Sequence, residues 1–187
     1  MKLPAPKTST PVRPVLVLMW LVASIASLIL MVTLRHIDGF LKSTSTPAGI
    51  VGFELAFTRE RAAFILQTWT ANGALTSARE SLRLDFAFLL AYPVSLALGC
   101  RILARRNAGW FDRVGIQLSY ALFACIPLDA TENVALLRML DIGASNGLAR
   151  LAAICATIKF ALILGAVVFL IAAQLRGVFG GAFRGAR

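Results

Sequence analysis

Apolar residues along this chain gather into four long blocks separated by short polar stretches. The first, "VLVLMWLVASIASLILMVTL" (15–34), runs twenty residues without a charge. At 1.5 Å of rise per residue that is about 30 Å of helix, enough to cross the hydrocarbon core of a bilayer. Small residues in "SIAS" would suit a cleavable signal peptide. The apolar run, however, outlasts the 7–15 residues of such a segment, so the block reads as a retained span. The second block, "SLRLDFAFLLAYPVSLALGCRILA", follows Ser77 and Glu80, which have the spacing of a capping box and predict a helix start there. Pro93 inside it predicts a kink. A third begins near Val114. The fourth, "LAAICATIKFALILGAVVFLIAA" (151–173), carries the single charge Lys159, and Ala152, Ala153, Cys155 and Ala156 allow a neighbouring helix close approach.

The pattern predicts an all-α fold, an integral membrane four-helix bundle. Its spans cover about 15–34, 80–100, 114–137 and 151–173 of one domain (15–176), with an outward-facing loop and helix segment, 35–79, between the first two. In that segment Lys42–Pro47 is a loop by composition. "VGFELAF" (51–57) alternates in a way that suits a short extended piece as well as a helix. "TRERAAFILQTWTANG" reads as a helix with Thr58 as N-cap and Asn72-Gly73 as its stop. Its stripe of Ala62, Ile65, Leu66 and Trp69 fits either the membrane surface, with Trp69 at headgroup level, or packing on other helices. Residues 1–14, with four prolines, read as a disordered basic leader, and 177–187 as a flexible cytoplasmic tail.

"PLDATENVALLRML" (127–140) tests the third span. Asp129 and Glu132 match a capping box, which would end the span at Ile126. Val114 to Ile126 would then supply only about 20 Å of helix, whereas continuing to Leu137 supplies about 36 Å. Length therefore puts Asp129, Glu132 and Asn133, which share one helix face, inside the bilayer. Counting rise from the span ends places Asp129 and Lys159 both about 12 Å deep. Buried charges in membranes face the bundle and pair. The expectation is a Lys159–Asp129 contact, with Glu132 as the alternative partner and Asn133, Asp85 and Tyr92 around them.

Composition agrees with the spans: 58% of residues are apolar against about 45–50% in soluble domains, and mean hydropathy is +0.78. The net charge of +10 invites a nucleic-acid reading, but no motif or aromatic-interleaved basic patch supports it. Its distribution is informative instead. The leader, the 101–113 connector, and Arg176 with the tail hold ten Lys and Arg against the single acid Asp112, while the other side is nearly balanced. The positive-inside rule then predicts a multi-pass protein of the cytoplasmic membrane with both termini cytoplasmic.

Chemical motifs are few. Cys100, Cys125 and Cys155 lie in apolar stretches without zinc or disulfide spacing. "GASNG" (143–147) matches a nucleophile elbow but has no strand before it, and His36 is remote, so Ser145 or Asn146 is better explained as a turn residue or N-cap. His36 with Asp38 is too sparse for a metal. A carboxylate site at Asp85, Asp129 and Glu132 would suit a hard cation, but Lys159 at the same depth opposes it. No cofactor or metal is expected, and the catalytic residues, if there are any, are not identifiable. The partner is the lipid bilayer, together with other membrane subunits or a second copy of the chain.

Three functions fit. A non-catalytic accessory or assembly component comes first, favoured by compact size and the lack of catalytic motifs. A small proton-coupled carrier using the polar cluster comes second, although no internal repeat is visible. An intramembrane enzyme on a lipid or isoprenoid, with Glu132 or Asp129 as acid/base and Tyr92 assisting, comes third. The orientation can be checked directly: Ser145→Cys should react with an impermeant thiol reagent in intact cells and Asn107→Cys should not. The opposite labelling overturns it.

Overall fold

The computed structural model describes residues 13–106 and 109–182, and every regular element among them is helical. In chain order these are α1 (Pro14–Leu41), α2 (Gly49–Glu54), α3 (Arg59–Ala71), α4 (Leu75–Arg106), α5 (Trp110–Ala121), a 3₁₀ turn (Leu122–Ala124), α6 (Cys125–Ile142) and α7 (Asn146–Ala182). Four stretches are long and apolar enough to cross a membrane: α1, α4, α5 through α6, and α7. Most of the leader lies outside the described residues, as do 183–187. Helix α7 runs on to Ala182, into the stretch expected to be tail. No proline or capping side chain stops it, and each glycine costs only about 1 kcal/mol.

Helix α4 is the hub. It packs against α1, α5, α6 and α7, while α1 is held by α4 and the short α2. Ser24 and Ser95 hydroxyls, 2.8 Å apart, tie α1 to α4 across their middles. Gly115 lets α5 close on its neighbours, since a Cβ there would sit 2.7 Å from Ala104 Cβ and 2.5 Å from Phe169 Cζ. The small residues early in α7, including Ala152, Ala153 and Ala156, are buried where α6 packs on α7.

Two apolar cores result. One lies at the end of the bundle carrying α2 and α3, around Leu41, Phe53, Trp69, Leu82, Leu136 and Met139. The other lies toward the termini, around Leu89, Cys100, Leu103, Leu122, Cys125 and Phe169. Pro93 sits within an unbroken α4.

The segment between the first two spans folds back onto the bundle. "VGFELAF" contains the helix α2, not a strand: with no partner strand, its backbone groups bond within the turn, Leu55 N–H donating to the Val51 carbonyl at 3.1 Å. Thr58 caps α3 by accepting from Arg61 N–H at 3.3 Å. Trp69 is fully buried and donates to the Leu41 carbonyl at 2.9 Å, so its stripe packs inward and does not lie on a membrane surface. Helix α4 starts at Leu75, two residues before Ser77, because Ala74 already closes the first turn by accepting from Ala78 N–H. Ser77 is thus inside the helix and caps nothing.

Asp38 pins α2 to the end of α1. Its Oδ1 accepts from Ile50 N–H at 2.7 Å and its Oδ2 pairs with Lys42 at 2.8 Å. Gly49 (φ +53) rests directly on that carboxylate, so a Cβ there would collide with it. Gly49→Ala should destabilise the protein by about 2–4 kcal/mol, combining left-handed strain with loss of a charged hydrogen bond. Gly73→Ala, at φ +67 but in open space, should cost only about 1 kcal/mol. Thermal unfolding of both variants in detergent measures the difference.

Candidate functional site

Between the two cores lies a polar layer built from four helices. The 3₁₀ turn at Leu122–Ala124 interrupts the third span, and Pro127, which cannot donate a helical hydrogen bond, falls in the first turn of α6 just after it. Helix α6 then carries Asp129, Glu132 and Asn133 on one face into the bundle, with 1%, 0% and 0% of their surface exposed.

Lys159 of α7 meets them. Its ammonium donates to Asp129 Oδ1 at 2.8 Å and to Glu132 Oε1 at 3.1 Å. Glu132 Oε2 is nearer, 2.9 Å, but off the hydrogen-bond direction, so its contact is electrostatic and it has no hydrogen-bond partner. From α4, the Tyr92 hydroxyl donates to Asp129 Oδ2 at 2.9 Å. With its one hydrogen so committed, the phenol can only accept from anything else that approaches. Asn133 Nδ2 donates to Asp85 Oδ2 at 2.7 Å, leaving Asn133 Oδ1 buried without a partner. All six residues singled out from the sequence thus share one connected layer, and the ammonium takes both expected partners.

Sequence reasoning missed Glu54. It ends α2, is 8% exposed, and lies within electrostatic reach of Lys159, Asp129 and Asp38. Among the described residues nothing hydrogen-bonds or ion-pairs with it. Burial pushes its carboxyl above the usual carboxylate range, Lys159 pulls it back, and Asp129 and Asp38 push it up again. The signal was present in "VGFELAF", where a lone acid sits among apolar residues, but a two-sided strand pattern would have turned it outward. After Glu54 the chain reverses through Phe57, whose φ of +57 is rare for a bulky residue. The tight turn sends α3 away while leaving Glu54 pointing into the bundle.

The other candidates lie elsewhere. Ser145 Oγ accepts from Leu148 N–H at 3.3 Å, as a helix cap does, and Asn146 Oδ1 accepts from Arg59 N–H at 2.8 Å. His36 stacks edge-on against Phe40, with ring centroids 5.5 Å apart. The three cysteines are free and buried.

Comparison with protein families, curated proteins and solved structures finds no match to this chain. What the site can do must therefore follow from its chemistry. Four carboxyl groups (Glu54, Asp85, Asp129 and Glu132) surround one ammonium. Two of them are bonded to it, one to Asn133, and Glu54, among the described residues, to none. Removing the ammonium leaves Asp129 and Glu132 buried with no cation, so Lys159→Met should cost about 3–5 kcal/mol. Adding Asp129→Asn and Glu132→Gln to Lys159→Met should recover most of that loss, because the two carboxylates that the ammonium pairs with are then neutral as well. Unfolding measured across the set tests this; an equal loss in the triple variant would show that the charges are not the cause.

Proposed function

We propose that the chain is a multi-pass protein of the cytoplasmic membrane, both termini cytoplasmic, whose Lys159–Asp129–Glu132 centre binds and exchanges protons with a molecule dissolved in the bilayer. The observation that carries this reading is the imbalance of the polar layer: four carboxyls stand around one ammonium, and among the described residues Glu54 makes no hydrogen bond or ion pair. A network kept only to fix helix register needs neither an extra acid nor unsatisfied oxygens, since each such group costs stability. Intramembrane ionisable groups kept despite that cost mark working sites.

The layer also touches the lipid side of the bundle. Tyr92 and Asp85 line cavities between α1 and α4, so the centre is reachable laterally through Tyr92 and from the α2 end through Asp85. Asp129 is the natural proton relay, being bonded to both the ammonium and the phenol. The accessory role favoured by composition does not use these features. A carrier would require a polar route onward to the termini. There the core consists of Leu89, Cys100, Leu103, Leu122 and Phe169, and Ser119 is the one buried polar side chain at that end among the described residues.

Mass spectrometry of lipids retained after gentle extraction provides the test. Wild type should release a bound amphiphile in near-stoichiometric amount, and Glu132→Gln, which keeps shape and removes charge, should lose it while remaining folded. No retained lipid in either protein, with normal performance of the Lys159→Met, Asp129→Asn, Glu132→Gln variant in cells, would return the chain to an assembly role.

A further inference from the structure

Three cavities follow one another between α1 and α4, the first closed by α2 and the other two by α7. At the α2 end, a cavity of about 170 Å³ is lined by Asp38, Glu54, Ser81 and Asp85, with Arg35 at its exposed rim and Met31 and Phe88 at its base. Met31 and Phe88 also line the next cavity, of about 320 Å³, whose walls include Leu28, Tyr92, Leu96 and Ile163. Beyond it, Trp20, Gly99 and Leu170 border a third of about 530 Å³. From Asp85 to Gly99 along α4 is fourteen residues, about 21 Å. These spaces exist because α1 is held by α4 and α2, without comparable packing on α7.

The groove is polar at one end and apolar along its length, the shape of a single-chain amphiphile. The polar end has a definite sign. Asp38, Glu54 and Asp85 are acidic, and Arg35 is the only base among the described residues lining it. Asp38 already serves α2 and Lys42, and Asp85 serves Asn133. Glu54 attracts Lys159 at a distance but makes no hydrogen bond or ion pair among the described residues, is more than nine-tenths buried, and lines the cavity. An anionic or phosphate head would meet three carboxyls there, whereas a protonated amine would pair with Glu54. At about 30 Å³ per water the space holds some five waters, or one ammonium with its first carbons. A metal ion is less suited, since among the described residues no three acidic, His or Cys side chains converge as metal ligands.

We propose that this groove binds a single-chain amphiphile bearing a protonated amine, with its ammonium on Glu54 and Asp85 and its chain lying between Phe88, Tyr92 and α1. The inference rests on the reading of the centre as serving a bilayer-dissolved molecule, and names its head group. Leu28, Met31 and Phe88 are the chain's contacts. Gly49 and Phe57, by fixing α2, hold the acid at the mouth.

Photo-crosslinking of the full chain in phosphatidylcholine nanodiscs decides it. The probes are a long-chain amine carrying a mid-chain diazirine and the alcohol and carboxylate of the same length. The amine should label α1 and α4 peptides around Leu28 and Phe88, and unlabelled amine should compete. Glu54→Gln, near-isosteric and checked for an unchanged melting temperature, should cut amine labelling about tenfold through loss of a charge-assisted hydrogen bond. Alcohol labelling should not change, and Glu54→Asp, which keeps the charge, should restore much of the amine signal. If amine and alcohol label wild type and Glu54→Gln alike, the cationic head site is wrong while a lipid-serving centre survives. Preferential labelling by the carboxylate overturns the head group in the same way. If no probe labels α1 or α4, the groove and the lipid-serving reading fall together.

Discussion

The bundle is organised around a buried ammonium held between two buried carboxylates. A lone charge at the centre of a bilayer costs about 2.5–3.5 kcal/mol on insertion scales, and more in simulations. Lys159, Asp129 and Glu132 can therefore occupy their spans only together. Their contact fixes the rotation of α6 and α7 about their axes and the relative height of the two helices, since shifting either by one residue turns its charges toward lipid. The close packing of α6 on the small residues of α7 follows from the same constraint.

Once that pair of helices is set, α4 is drawn in by complementary polar contacts. Tyr92 answers Asp129 and Asp85 answers Asn133. The two apolar cores then close above and below the layer, and the polar groups sit where the dielectric is lowest and their interactions strongest. Helix α1 takes no part in this network and leans on α4 through apolar contacts and one serine pair. That one-sided attachment leaves the groove between α1 and α4 onto which Tyr92 and Asp85 open.

Helix α2 adds the asymmetry. It is too short to be stable alone, and it is held by Asp38, by Phe53 packed edge-on against Trp69 with centroids 5.3 Å apart, and by the turn at Phe57. What it delivers is Glu54, a buried acid that makes no hydrogen bond or ion pair among the described residues. Stability alone gives no reason to keep such a group. Glu54 lines the cavity between α1, α2 and α4 together with Asp38 and Asp85.

Span length and rise per residue, both properties of the sequence, determined the number of membrane-crossing helices, the burial of Asp129, Glu132 and Asn133, and the common depth of Asp129 and Lys159. Those quantities are legible because hydrophobic thickness and helix geometry are fixed, so arithmetic along one dimension suffices. Tertiary structure alone decided the rest. Whether Lys159 took Asp129, Glu132 or both depended on side-chain reach across a helix pair. That Trp69 turned inward depended on Leu41 offering a carbonyl twenty-eight residues away. Glu54 escaped notice because its burial comes from a six-residue helix folded back by distant contacts, and no periodicity within "VGFELAF" encodes what will cover it. Depth is a local property of a helix, whereas enclosure is a property of everything packed around it.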